Sequence, residues 1–174
     1  MRGRSARLPT LVAAIAIALA LTSSPVRAAA FNDSDVARLA ELNEVLQSFE
    51  DDVGVAIHHL PRDDAEQIES YSYVKLNLEA AHERLNNVFM LLAVSLYMAE
   101  QSDQQLILNI MHSQVLPRSK NFLDEKKDAI ASMALAHPSN NVFETYSERA
   151  ADVLGTRAIS LLDAFDEKIG SPKQ

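Results

Sequence analysis

Residues 78–99 read LEAAHERLNNVFMLLAVSLYMA, and the spacing of their apolar side chains decides the fold. Leu78, His82, Leu85, Phe89, Leu92, Leu96 and Ala99 recur at alternating steps of four and three. That is the repeat of helices lying side by side. From Val88 to Ala99 the stretch is apolar nearly all round, which predicts the most deeply enclosed part of the chain. It is about 12 residues long, against the roughly 20 needed to cross a bilayer, so it does not read as a membrane span.

Working outward, the helix extends over Asp63–Gln101, with Asp63 or Asp64 as its cap and Ile68 and Tyr71 on its early stripe. A first helix precedes it over Asp33–Leu60, where Val36, Leu39, Leu42, Leu46, Phe49, Val53, Ile57 and Leu60 recur at helical spacing. Asn32, Asp33 and Ser34 offer caps, and Pro61 stops it. A third helix is predicted over Ser102–Ala136, with Pro117 inside it as a kink or a split. A fourth runs from Ser139 or Asn140 to Ile169, and Gly170-Ser171-Pro172 reads as a C-terminal glycine cap with a trailing proline.

The joints, Pro61–Asp63, Glu100–Asp103 and His137–Asn140, are only a few residues long. Helices this tightly joined lie against their sequence neighbours in opposite directions. The expected fold class is therefore all-α, an antiparallel up-down-up-down four-helix bundle with rods roughly 40–57 Å long at 1.5 Å per residue. The composition agrees. Four Gly and six Pro are too few for a turn-rich all-β chain, and no Cys excludes disulfides, thiolate metal sites and a cysteine nucleophile.

The first thirty residues read as an address. Arg2, Arg4 and Arg7 precede the apolar run Leu11–Leu21, and Val26-Arg27-Ala28-Ala29-Ala30 follows a Thr-Ser-Ser-Pro break. This is the order of a cleaved export signal, with cleavage after Ala28 or Ala30. The expected organisation is a signal peptide over 1–30, the bundle over 31–170 and a tail over 171–174. Taking Arg2, Arg4, Arg7 and Arg27 from 16 Lys+Arg leaves twelve basic against 24 acidic groups, a net of −12. Such a surface repels nucleic acid and anionic lipid. A thiol-free acidic chain suits a bacterial periplasm or the medium.

Three sets of residues are candidates for function. Asn43, Glu79 and His82 could line a ligand site: across the first joint, residue numbers at one level sum to about 124, which sets Asn43 near His82. The same pair reads better as a buried hydrogen-bonded layer that fixes register. Glu79-Ala80-Ala81-His82 is an ExxH, but di-iron bundles carry two such motifs and this chain has one. His58, His59 and His137 fall near one pole beside Asp63 and Asp64, a possible transition-metal cluster, although helix-end histidines also interact well with free carbonyls. Met90, Met98, Met111 and Met133 are conceivable haem ligands, but methionine on an apolar face is more often core filler.

The third set is a surface. Tyr73, Leu91, Val94 and Tyr97 lie off the main stripe of the second helix and suggest a docking or dimerisation face. No GxSxG, SxxK, HExxH or glycine-rich phosphate loop occurs. The expectation is an exported, non-enzymatic interaction, adaptor or chaperone-like module. It has a protein partner or self-association, no cofactor, no nucleic acid and no membrane span after cleavage. The alternative is a bundle that holds a small molecule, a metal or haem.

Overall fold

In a computed structural model, the described residues are 33–97 and 101–170, and all their regular structure is helical. They form four helical rods. The first is α1 (Asp33–His59) and the second α2 (Ala65–Tyr97). The third joins α3 (Gln101–Ile110), a π-helical turn (Met111–Val115) and α4 (Leu116–Ala136). The fourth joins α5 (Asn141–Ala150), a π-helical stretch (Ala151–Ala158) and α6 (Ile159–Gly170). The expected leader and the tail lie outside the described residues.

Local chemistry sets the ends. Asp64 caps α2, accepting from the Gln67 backbone N–H at 3.1 Å and from the Gln67 side chain at 2.6 Å. Asn140 caps α5 by accepting from the Val142 N–H at 3.1 Å. At the end of α4, the His137 N–H still reaches Met133 O at 3.0 Å, but Pro138 has no N–H with which to continue. The third rod starts at Gln101, so residues 101–103, expected as part of a joint, are helical. Gly170 is also helical rather than a left-handed cap. A Cβ there would stand 2.9 Å from the His112 ring, so the missing side chain makes room for that histidine.

Pro117 neither splits nor stops its rod. It sits in the first turn of α4, directly after the π-helical turn, in which the Leu116 N–H bonds Met111 O five residues back. In a regular α-helix the proline ring would strike the carbonyl four residues earlier; the wider turn moves that carbonyl aside.

The core runs along all four rods: Leu46 and Phe49 of α1, Leu78 and Leu85 of α2, Leu123 and Ile130 of α4, Leu154 and Phe165 of the fourth rod are fully buried. The inner line of α2 is Tyr71, Val74, Leu78, Ala81, Leu85, Val88, Leu92 and Ser95, all buried. It differs from the expected line in taking Ala81, Val88 and Ser95 where the sequence reading took His82, Phe89 and Leu96. The half-buried Phe89 flanks it. The deep enclosure expected of Val88–Ala99 is overturned, because Met90, Leu91 and Val94 are exposed at 46%, 39% and 46%. The helix has more apolar circumference here than its neighbours cover.

Cross-rod polar contacts tie the surface together. Arg149 reaches Asp52 at 2.6 Å while its guanidinium lies 4.4 Å from the Phe49 ring centre. Arg84 donates to Ser119 at 3.0 Å, and Lys168 pairs with the buried Asp35. Among the described residues, no helix is long and apolar enough to cross a membrane.

Candidate functional site

The ligand set inferred for α1 and α2 is brought together only in part. His82 is buried, its Nε2 2.5 Å from Asn43 Oδ1 and its Nδ1 2.7 Å from Glu50 Oε1. Glu79 is not in this group. It lies exposed on α2 and pairs with Lys75 one turn earlier. Glu50, seven residues after Asn43 and so on the same face of α1, takes the place that Glu79 was expected to fill. In the sequence Glu50 stands in the acidic run Glu50-Asp51-Asp52, and only its spacing from Asn43 distinguishes it.

The layer satisfies itself. With an oxygen on each side, a protonated His82 ring donates at both nitrogens; a neutral ring keeps the Glu50 bond and accepts from Asn43 once the carboxamide turns over. No buried side-chain nitrogen or oxygen among the described residues lacks a partner. Nothing polar in this layer therefore calls for a ligand to complete it.

The three polar-end histidines are not gathered. His58 and His59 are exposed in the last turn of α1, ring centres 6.0 Å apart. His137 instead stacks 5.0 Å from the Phe143 ring, and its Nε2 lies 3.0 Å from Ser70 Oγ. No group of three or more His, Asp or Glu among the described residues is placed to hold a metal ion.

The Ser70–His137 contact escaped the sequence reading, since 67 residues separate the two. It borders an open groove of about 790 Å³ between the start of α2 and the α4–α5 turn. Ser70 Oγ donates its one proton to Glu66 O at 2.9 Å, so the His137 Nε2–H is the donor to Ser70. A serine nucleophile needs the reverse, with the histidine accepting the hydroxyl proton.

A second ion cluster joins the third and fourth rods. Lys120 bonds Asp163 at 2.6 Å and Asp166 at 3.0 Å, and His112 Nδ1 lies 2.7 Å from Asp166. Burial acts to raise the Asp166 pKa, but Lys120 and His112 outweigh it and hold the carboxyl below its ordinary value. Lys120 is the mirror case. Burial acts to lower it, yet the two aspartates keep it above the usual lysine value.

The surface candidates remain. Tyr73, Leu91 and Val94 are exposed, and the side chain of Tyr97 lies outside the described residues. Leu76, at 63%, and Met90 join them on α2, a signal that steps of three and four from Tyr73 could have found. Tyr73, Leu76, Ala80, Glu83, Asn87, Met90 and Val94 each stand two residues beyond a member of the buried line. Two residues turn a helix by about 200°, so this second line runs down the opposite face. Compared with protein-family models, with curated proteins and with solved structures, the chain matches none, and its own side chains carry the functional reading.

Proposed function

We propose that the chain is an exported bacterial protein of the periplasm or medium that acts by binding a polypeptide, as an adaptor or chaperone-like module, and not by catalysis. The observation that carries this reading is the outer face of α2, where apolar side chains at heptad spacing stand in solvent. A monomeric helix normally keeps such a line for its core. The polar groups support the same reading: the His82 layer is closed on itself, and the Ser70 proton is directed to a carbonyl of its own helix.

Export is supported by the order of basic, apolar and small residues in the first thirty positions. The up-down-up-down antiparallel order is supported by partner numbers that fall along one rod as they rise along another, Asp35 with Lys168 and Asp52 with Arg149. The four-rod scaffold then holds the outer face of α2 rigid, so it binds without the entropy of ordering a loop.

The test is a photoreactive amino acid placed singly at Tyr73, Leu91 or Ser132 in cells that express the full chain. Ser132 is exposed on α4, a different helix from the candidate face. Crosslinked polypeptide from the two α2 positions and none from Ser132 is the expected result. Equal labelling at all three, or none at any, removes the reading.

A further inference from the structure

Resting on that reading, the geometry points to one occupant for the outer face of α2: the same face of a second copy, lying antiparallel. Tyr73 to Val94 spans about 32 Å at 1.5 Å per residue, with steps of three and four throughout. In an antiparallel pair the two kinds of heptad position face each other, so contacting residue numbers have a constant sum. One register brings six of the seven positions on this line, all but Tyr73, into matched layers. Leu76 then meets Val94, Ala80 meets Met90, and Glu83 meets Asn87, each pair occurring twice about a two-fold axis.

The charges select this direction. A parallel pair in register would set Glu83 against Glu83 at the centre of the seam, where like charges repel. The antiparallel pair instead sets each Glu83 carboxylate against an Asn87 amide, which can donate to it. Size agrees as well, since small Ala80 stands opposite long Met90. Arg84, the basic residue beside the centre, is held aside by Ser119 at 3.0 Å and by the Phe122 ring 5.7 Å away. The seam therefore carries no cation that would meet its own copy, and Leu91 closes its flank.

Sedimentation velocity of the purified full chain is the first measurement, with a reversible dimer expected. Leu76→Glu enters the dimer twice and should weaken it at least about a hundredfold. Leu135→Glu, at an exposed apolar site on α4, should leave it unchanged. Circular dichroism on each variant separates loss of dimer from loss of fold.

Direction is read by oxidation, because the native chain has no cysteine. Glu83→Cys mixed with Asn87→Cys should give a mixed disulfide, and neither variant alone should crosslink efficiently. Efficient crosslinking of Glu83→Cys to itself would overturn the antiparallel register. A chain that stays monomeric at high micromolar concentration overturns self-pairing altogether. The binding reading would still stand in that case if Tyr73 and Leu91 continued to label a different polypeptide in cells, and would fall with it if they labelled none.

Discussion

At the scale of single residues, one buried ionisable pair stands out. Glu50 and His82 have side chains only 11% and 8% exposed and face each other at 2.7 Å. Replacing Glu50 by Ala strands the ring beside Asn43, and the cost should be about 2–4 kcal/mol in urea unfolding. Replacing both Glu50 and His82 by apolar residues should cost less than the sum, because neither partner is then left unpaired. Asp166 gives the pH response. Its folded pKa lies below the ordinary carboxylate value of 3.8, so the unfolded chain binds the proton first as pH falls. The stability it contributes is complete above that value and is lost as pH drops through its folded pKa. Asp166→Asn should therefore lower the urea midpoint at neutral pH, and the gap from the parent should shrink steadily below about pH 4.

At the scale of the helix, Pro117 supplies a sharp expectation. Proline inside a regular helix costs about 3 kcal/mol relative to alanine. Here the π-helical turn has already moved the clashing carbonyl, and Pro117 is exposed in the first turn of α4. Pro117→Ala should thus change stability by less than about 1 kcal/mol, measured by thermal or urea unfolding, rather than deliver the full gain. The rods were legible in the sequence because prolines 61 and 138 and caps such as Asp64 mark their ends by simple hydrogen-bond chemistry. The Asn43–His82 pair was legible from levels alone. The inner line of α2 was not, because a helix apolar on two faces offers two heptad lines, and periodicity cannot rank them. The second π-helical stretch was hidden for another reason: it contains no proline. Gly155 marks it only in retrospect, where a Cβ would approach the Lys127 stem to 3.1 Å.

At the scale of the whole molecule, charge and compartment come together. With the leader removed as proposed, two copies carry a net of −12 and repel as they approach. Since Glu83 is the one charge within the seam, added salt should screen that repulsion without weakening the apolar layers. Sedimentation at 20 mM and at 500 mM sodium chloride should show the dimer tightening, the opposite of a complex built on ion pairs. Intact-mass measurement of the protein recovered from a bacterial periplasm should give a new N-terminus at Ala29 or Phe31. Retention of Met1 there would remove the cleavage reading, and recovery from the cytosol alone would remove the export reading.

A helix greasy on both sides has a hazard built into it, since a half-turn about its own axis would offer the four-rod core a second plausible set of contacts. The buried imidazole breaks that tie. Only one facing lets it reach both the carboxylate and the carboxamide of α1; the other would drive Glu83 and Asn87 among leucines. Substituting Leu for His82, Asn43 and Glu50, and for Glu83 and Asn87 on the other face, should accordingly give a chain that shows doubled or broadened amide resonances, as a key cut alike on both edges turns either way in its lock.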